Sequence, residues 1–471
     1  MHGMLLLPEL LLLGIATLLL CVIVGSKSQN FCWLHSFMGF AAAGVLAGAG
    51  ITLGHAGHFF NSGYRVDLLS QGFKLMIAGG FFFTALLSKH GIAIDKERTP
   101  EYYVFLCTAT LGMMMITSAV DILSLYVSLE LSSYSLYLLA ALGQSRKTAE
   151  SGVKYLLFGA AASGVMLWGL SLIAGLSGTF SLAEISAKAP VLLSQPAFLL
   201  GVAFVALAFL FKLSGFPMHF WAPDVYESAS TPATNLIATA SKAAAVALLV
   251  RLFMFVGFPA AFTGVFAVLA FFSMTIGNTV ALLQKDVKRL LAYSSVAQAG
   301  YLLVGLLAGS TEGYSSAFFY AFAYVLMNTG AFLVTVLVAK SIRRDNPEFS
   351  DFNGLAEKSP LLALVLLLSL LSLAGIPPLA GFTGKWILFS AAMEKGHWFL
   401  VLWGVLNSVV SLFYYLTLVK HAYLEKPKNA EPLLVPFEMK VLCLFLFLAL
   451  VLLGVFPNYL ITYAQKAAFI S

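Results

Sequence analysis

Charged residues are scarce in this chain of 471 residues. Asp, Glu, Lys and Arg together make up 10% of the sequence, against about 25% in a typical soluble domain. Hydrophobic residues make up 60%, aromatic residues 14%, and the mean hydropathy is +0.92. Such a composition cannot cover a water-exposed surface, so it excludes a soluble enzyme and predicts an integral membrane protein.

Cysteine and the common catalytic motifs are also rare or missing. Cys21, Cys32, Cys107 and Cys443 lie in apolar segments without Cys-x-x-Cys spacing or histidine partners, which argues against a metal site and a disulfide framework. The chain has no Gly-x-Gly-x-x-Gly or Walker loop, no nucleophile elbow and no pair of haem-ligating histidines at matched depth. We therefore expect a chain that conducts or couples ions but carries no redox centre, cofactor or metal of its own.

Long apolar segments are what the sequence has in abundance. Windows of at least about 18 residues, enough to cross a bilayer, occur fourteen times, and we number them spans 1 to 14. Span 1 lacks a basic leader and a cleavage site, so we expect it to be retained. The sequence predicts an all-α polytopic membrane protein forming a single membrane domain over residues 1–471. The predicted spans are 4–24, 31–54, 68–88, 102–119, 122–142, 153–176, 197–222, 232–255, 259–283, 290–308, 314–339, 360–392, 398–423 and 437–460.

Lysine and arginine are distributed unevenly between the two sides. Loops after odd-numbered spans hold 17 of the 27 basic residues, four lie within spans, and the other side holds six. By the positive-inside rule the first set of loops faces the cytoplasm. We call it the inner face, and we place both termini on the outer face of a bacterial plasma membrane. The net charge of +6 is then a signal of topology rather than of nucleic-acid binding. The six outer-face residues are Arg65, Lys74, Lys188, Arg251, Lys395 and Lys466.

Two short stretches within apolar spans resemble each other. KLSGFP in span 7 matches SLAGIPP in span 12, so that Gly215 and Pro217 precede Gly375 and Pro377 by 160 residues, with Pro378 next. Proline removes a backbone donor, and the freed carbonyls are tolerated in a membrane only where protein or water satisfies them. The sequence therefore predicts that spans 7 and 12 are broken helices beside a polar interior path.

The same match predicts the organisation of the chain. Spans 7 and 12 are five apart and run in opposite directions, as in an inverted repeat. We expect the first repeat, spans 4–8, within residues 101–255 and the second, spans 9–13, within residues 259–424. Spans 1–3 within residues 1–100, and span 14 at 437–460, lie outside the repeats.

Five charged residues are predicted inside the spans: Glu130, Lys154, Lys212, Lys242 and Lys385. A charge at the centre of a membrane helix costs about 2.5–3.5 kcal/mol even on insertion scales, so a hydrated, interacting arrangement is expected. Burial disfavours the charged form of lysine and a nearby carboxylate favours it, which suits a stepwise proton relay. For Lys154, near the inner end of span 6, snorkelling to the surface is an equally good explanation. His219, two residues after Pro217, would extend this row of lysines as a further titrating group, or it would fill the break in span 7 and form hydrogen bonds there.

Six stretches stand out as motifs in a fixed order and spacing: EYYVFLCTATLGMMMITSAVDILSLYVSLEL (101–131), VKYLLFGAAASG (153–164), FKLSGFPMHFWAPDVYESASTP (211–232), DVKRLLAYSS (286–295), LMNTGAF (326–332) and SLAGIPPLAGFTGKW (372–386). Over nearly the whole chain, these motifs resemble the antiporter-like subunit N family of respiratory complex I, the proton-pumping NADH-quinone oxidoreductase. The lysine of GFTGKW separates this family from the similar subunit M, which has glutamate there.

The resemblance implies roles for the buried residues. Glu130 would pair with Lys212, Lys154 would modulate that pair, Lys242 would be the central relay and Lys385 would serve the exit. Gln298 departs from the family, which usually has histidine there. Because glutamine cannot change protonation, the link between Lys242 and Lys385 would run through water rather than through a titrating side chain, and the sequence leaves open whether it passes through Gln298 or around it.

The resemblance also implies partners and cofactors. The other membrane subunits of the complex, together with lipid, would surround the chain, while NADH, FMN, iron–sulfur clusters and quinone would bind elsewhere in the complex. A subunit of a multi-subunit Na⁺/H⁺ antiporter, or of another complex-I-like redox pump, is the alternative. An assembly spacer without a relay is a third class, disfavoured by the cost of four buried lysines.

Overall fold

Helices make up almost the whole structure of the chain, a computed structural model that describes residues 2–25, 31–93, 97–143, 145–257, 260–427 and 431–468. Twelve described helices are long and apolar enough to cross a membrane. The predicted all-α membrane fold is confirmed. Both chain ends and the inner-face residues Lys27, Lys96 and Lys428 lie outside the described residues.

Each predicted span has a helical counterpart. Spans 4 and 12 are not among those twelve helices: span 4 is a single helix, and span 12 consists of two shorter ones. Spans 6 and 11 are each 32 residues long, about 48 Å at 1.5 Å per residue. The helices of spans 1 to 6 are Leu7–Gly25, Cys32–Ile51, Leu68–Ser88, Thr99–Ser118, Ile122–Ala141 and Arg146–Ser177. Those of spans 9, 10, 11, 13 and 14 are Thr263–Ala281, Val287–Leu307, Thr311–Ile342, Trp398–Tyr423 and Phe437–Val455.

Spans 7 and 12 are broken, as predicted. Span 7 consists of Pro196–Leu213 and Trp221–Ser228, and span 12 of Pro360–Ala374 and Ala380–Glu394. The first half of each ends on a residue in the left-handed conformation, with φ of 58° at Ser214 and 90° at Gly375.

The structure departs from the predicted spans at span 8, at span 14 and in the connection after span 2, and span 6 begins at Arg146 instead of 153. Span 8 is itself interrupted at Thr239, between Thr231–Ala238 and Ala240–Val256, three residues before Lys242. Span 14 ends at Val455 instead of 460, because Pro457 follows, and a short helix, Asn458–Ala467, comes next. A small antiparallel hairpin, Gly57–Phe59 with Tyr64–Val66, follows span 2.

Close helix crossings support the inverted repeat. A Cβ atom on Gly112 of span 4 would lie 2.5 Å from the Ser132 nitrogen of span 5, and one on Gly277 of span 9 would lie 2.5 Å from the Ala297 nitrogen of span 10. Both pairs are related by a shift of 165 residues. The two repeats thus build the same contact between their first two helices.

At the helix breaks, the relation between the repeats is 161 residues rather than the predicted 160. Ser214 N donates to Phe211 O and Gly215 N to Leu210 O, as Gly375 N does to Ser372 O and Ile376 N to Leu371 O. The backbone therefore pairs Ser214, not Gly215, with Gly375. The prediction was wrong by one position because it aligned the glycines, whereas the left-handed turn falls on a serine in the first copy.

Spans 3, 8, 10 and 11 form the buried centre of the chain. Between 83% and 100% of the residues in their apolar windows are buried, against 28% in spans 1 and 14. Lys242 in span 8 and Gln298 in span 10 therefore lie in the most enclosed part of the molecule. The candidate site is built on rigid, packed helices rather than on loops.

Candidate functional site

Lys212 lies on the last turn of the first half of span 7, directly before the break. Its side chain is buried, and Nζ has no protein hydrogen-bond partner. Glu130 of span 5 lies within electrostatic range of this ammonium group. One carboxylate oxygen, Oε1, also lacks a hydrogen-bond partner, and no direct ion pair joins the two residues in the described part of the chain. The two predicted partners are thus near one another but not in contact.

The backbone groups at the break after Lys212 find partners in span 9 and in the second half of span 7. Phe216 N donates to Ser273 Oγ of span 9 at 2.9 Å, and Trp221 Nε1 donates to the carbonyl of Phe211 at 3.0 Å. These bonds meet the requirement that backbone groups freed in a membrane find partners in the protein. The helix break is therefore stabilised by hydrogen bonds within the protein interior.

Lys385, in the second half of span 12, folds back onto the break of its own span. Nζ donates to the carbonyls of Leu373 and Ala374, both at 3.0 Å, and to Ser408 Oγ at 2.9 Å. The two carbonyls form the negative end of a half-helix, which attracts a cation. Nζ also lies 4.2 Å from the centre of the Tyr301 ring, a cation–π distance.

Gly375 makes room for this arrangement. Its φ of 90° is a conformation that side chains other than glycine rarely adopt. A Cβ atom there would also lie 3.1 Å from Lys385 Cδ. The residue predicted only as a helix break thus also shapes the lysine site.

Lys242 is almost fully buried in span 8, just beyond the interruption at Thr239. Nζ donates to the carbonyl of Ser295 at 3.0 Å and also to its hydroxyl. Tyr226 Oη lies 3.2 Å from the same hydroxyl, and the Tyr324 ring lies 5.9 Å from Nζ. No carboxylate contacts this ammonium group among the described residues.

Gln298 connects the surroundings of Lys242 to those of Lys385. It lies three residues after Ser295 in span 10, on the same face of the helix. Gln298 Nε2 donates to Leu373 O at 3.1 Å, the carbonyl that also accepts from Lys385. Tyr320 donates to Gln298 Oε1 from span 11. Gln298 thus shares the acceptor of Lys385 and lies one helical turn from the serine that binds Lys242.

Lys154 lies at the inner end of the molecule rather than in the middle layer. Its helix begins at Arg146, two turns before the predicted span 6, and 43% of its side chain is exposed. Nζ lies 3.0 Å from Glu150 and 3.1 Å from Asp224. Asp224 and Glu227 in turn bind Arg289. Lys154 therefore belongs to an ion-pair network that reaches the surface, and it has no contact with Glu130 or Lys212 in the described residues.

His219 lies within the break of span 7 and is buried. Its ring stacks on Phe220 with centroids 4.3 Å apart, and Nδ1 has no hydrogen-bond partner. No described contact joins His219 to Lys212, Lys242 or Lys385.

Sequence analysis missed a buried ion pair outside the repeats. Lys74 Nζ of span 3 lies 2.6 Å from Glu9 Oε1 of span 1, and the lysine side chain is 1% exposed. Tyr64 Oη donates to the same carboxylate oxygen at 2.7 Å. Lys74 lies inside the predicted range of span 3 and could have been found there, but it was counted with the outer loops.

Arg251 was also assigned to the outer loops, and it is buried at the end of span 8. Its guanidinium donates to both carboxylate oxygens of Asp67, at 3.0 and 2.8 Å, and to Thr117 O at 3.0 Å. Burial raises the pKa of Asp67, but the charge and hydrogen bonds of Arg251, the hydrogen bond from the Ser70 backbone and the Arg65 charge together hold the pKa below its ordinary value. When Lys74 and Arg251 are removed from the count of outer-loop basic residues, the excess of basic residues in the inner loops is larger.

The middle layer therefore contains three buried lysines joined in part by hydroxyl, amide and carbonyl groups. Such groups can pass protons between titrating sites directly or through water. No group of three or more His, Cys, Asp or Glu side chains is placed to hold a metal ion within the residues described. The hydroxyl, amide and lysine groups of this layer are suited to proton transfer.

Two comparisons place the sequence among known proteins. Residues 119–411 match the family model described as "NADH:quinone oxidoreductase/Mrp antiporter, TM". The chain is 46% identical over 435 residues to "NADH-quinone oxidoreductase subunit N 2" of Syntrophobacter fumaroxidans, covering 91% of this chain and 92% of that one. It is 42% identical over 465 residues to the protein of the same name from Solidesulfovibrio magneticus, covering 98% of each.

A solved structure shares the fold over the same length. A chain of respiratory complex I from Thermus thermophilus superimposes with a TM-score of 0.83 at 31% identity, covering 97% of this chain and 99% of that one. The similarity extends across both repeats and the helices outside them.

Proposed function

Because the chain belongs to the NADH:quinone oxidoreductase/Mrp antiporter family and, within it, to the relatives named subunit N, we propose that it translocates protons as a membrane subunit of a NADH-quinone oxidoreductase. The resemblance predicted from the motifs is confirmed at the level of the family. The neighbouring membrane subunits of such a complex would be its partners. The redox reaction and its NADH, FMN, iron–sulfur clusters and quinone would belong to other subunits.

The observation that carries the proposal is the row of groups between Lys242 and Lys385. Lys242 binds Ser295, Gln298 lies one turn further along the same helix, and Gln298 and Lys385 share the carbonyl of Leu373. Each lysine is buried and lacks a carboxylate contact among the described residues, so each can hold or release a proton at moderate cost. A proton would pass from Lys242 through this row to Lys385.

Glu130 and Lys212 would control the supply to this row. The two side chains do not touch, and neither Lys212 Nζ nor Glu130 Oε1 has a hydrogen-bond partner in the protein. Buried polar groups that lack a protein partner are normally hydrogen-bonded to ordered water. Movement of the pair closer together would hold a proton on Lys212, and separation would release it toward Lys242. His219, in the same break, would support hydration of the break rather than carry the proton.

Lys154 would act from a distance. Its ion pairs with Glu150 and Asp224 fix one end of a charged network at the inner face. A change in that network would alter the field at Glu130 without a proton passing through Lys154. In this arrangement the inner face lies in the cytoplasm of a bacterium, and protons leave on the outer face, where both termini would lie.

The test replaces Lys242 with alanine in the whole complex, reconstituted in proteoliposomes. Proton pumping driven by NADH oxidation should fall, with the step through this subunit slowed on the order of 100-fold. Lys395→Ala, at an exposed lysine between spans 12 and 13, is the matched control and should pump normally. Full pumping by an assembled Lys242→Ala complex would reject the relay. A Na⁺-dependent pH gradient, formed without NADH, would instead favour the antiporter alternative.

A further inference from the structure

A cavity of about 430 Å³ opens at the predicted outer face, away from the lysine row. It lies where the hairpin after span 2, the start of span 3, the end of span 8 and the helix Asn458–Ala467 meet. Three cationic side chains from separate parts of the chain line it, Arg65, Arg251 and Lys466, with Asp67 as the one carboxylate in the lining. The cavity therefore carries an excess of positive charge.

The single carboxylate pairs with two of the three cations. Asp67 accepts two hydrogen bonds from the Arg251 guanidinium, whereas the Arg65 Nε atom lies further away, at 3.4 Å. Lys466 is exposed and forms no ion pair with a described acidic residue. One carboxylate cannot neutralise three cations, so the lining keeps a net positive charge that a bound anion would meet at Arg65 and Lys466.

The rest of the lining is apolar and comes largely from the ends of two spans. Leu68 and Leu69 come from the first turn of span 3, and Met254 and Phe255 from the last turn of span 8. A site for a soluble anion needs charge alone, whereas this cavity places basic groups directly beside an apolar wall at the end of the bundle. Phosphate groups with attached acyl chains match both parts.

We propose that this cavity binds the headgroup of an anionic phospholipid, with Arg65 and Lys466 contacting its phosphate and the apolar wall contacting the start of its acyl chains. The volume lies within the range of ligand sites in proteins. The bound lipid would join the hairpin, span 8 and the C-terminal helix, which are far apart in sequence. This site does not depend on the proton relay.

The test measures lipid retention by the whole complex. Complexes with the double substitution Arg65→Gln and Lys466→Gln are placed in nanodiscs of phosphatidylcholine with a minor fraction of phosphatidylglycerol, and bound phosphatidylglycerol is counted by native mass spectrometry. Loss of two cations beside an anionic lipid should weaken its retention on the order of 30-fold. Lys395→Gln, an outer-face lysine outside the cavity, is the control and should retain the lipid as the unmodified complex does.

Three results would overturn the proposal. Equal retention of phosphatidylglycerol by the double variant and the control would show that the cavity does not hold it. Stabilisation by inorganic phosphate in discs of phosphatidylcholine alone, without an effect of phosphatidylglycerol, would identify a site for a free anion. Cross-linking of a cysteine at position 466 to a neighbouring subunit, with no lipid lost in the double variant, would assign the cavity to a protein interface.

Discussion

Gln298 and Lys385 donate hydrogen bonds to the same atom, the carbonyl oxygen of Leu373, at 3.1 and 3.0 Å. That carbonyl is available because the first half of span 12 ends one residue later, at Ala374. The helix break thus supplies an acceptor that an unbroken helix would have used internally. A side chain that cannot titrate thus shares an acceptor with Lys385 and lies one helical turn from Ser295, which binds Lys242.

The pair formed by Glu9 and Lys74 should be structural rather than part of the relay. Lys74→Met would leave the Glu9 carboxylate buried without its cation and should destabilise the chain by about 3 kcal/mol. Adding Glu9→Gln should recover most of this loss, because the second change removes the uncompensated charge. Thermal unfolding of the purified complex measures both effects.

Pumping distinguishes this pair from the lysine row. The double variant Glu9→Gln, Lys74→Met should pump as many protons per NADH as the unmodified complex, in contrast to Lys242→Ala. A stable double variant that fails to pump would show that spans 1 and 3 take part in conduction.

Asp67→Asn separates helix capping from charge pairing. Asparagine caps helices about as well as aspartate, so the loss comes from the charge that pairs with Arg251 and should be about 2–3 kcal/mol at neutral pH. The low pKa of Asp67 gives stability that is present above the unfolded value of about 4 and is lost as the pH falls through the folded pKa. The difference between variant and unmodified protein should therefore shrink below about pH 4.

Asp121→Asn is the control for this prediction. Asp121 caps span 5 through the backbone of Leu123 and Ser124 and has no arginine partner among the described residues. Its replacement should change the unfolding midpoint little at any pH. Equal effects at both positions would mean that capping, not the Arg251 pair, accounts for the loss at Asp67.

Local chemistry made much of this fold predictable. Apolar length predicted the fourteen spans, and the glycine–proline motifs predicted the breaks in spans 7 and 12. The interruption at Thr239 carries neither residue; Thr239 Oγ1 donates to the carbonyl of Asn235 at 2.6 Å, and threonine hydroxyls bind backbone carbonyls in many continuous helices. Such a break depends on packing between helices, which a single sequence does not display.

The site was predictable in its charges but not in its connections. Glu130, Lys212, Lys242 and Lys385 stand out because charge is costly in an apolar span. Ser295 gives no such signal, although its spacing of three residues from Gln298 places both on one helix face. The role of Leu373 could not be predicted because its backbone carbonyl is the acceptor, and a residue of any type at this position would provide the same carbonyl.

The repeat predicts matching effects at two glycines. Gly112→Ala and Gly277→Ala should each force apart the first two helices of a repeat, since the added carbon would meet a backbone nitrogen at 2.5 Å. We expect a similar loss of about 1–3 kcal/mol at both positions. Gly164→Ala in span 6 meets nothing within 4 Å and should be neutral or stabilising in thermal unfolding. Strongly unequal losses at the two glycines would contradict the equivalence of the crossings.

The number of protons pumped per NADH by the Gln298→Leu complex tests the central claim most directly. Leucine fills similar space but can neither accept from Tyr320 nor donate to the carbonyl of Leu373. The proton share of this subunit should therefore be lost, while Gln298→His, which keeps a donor and an acceptor, should retain it. An assembled Gln298→Leu complex that pumps as many protons per NADH as the unmodified one would contradict the account.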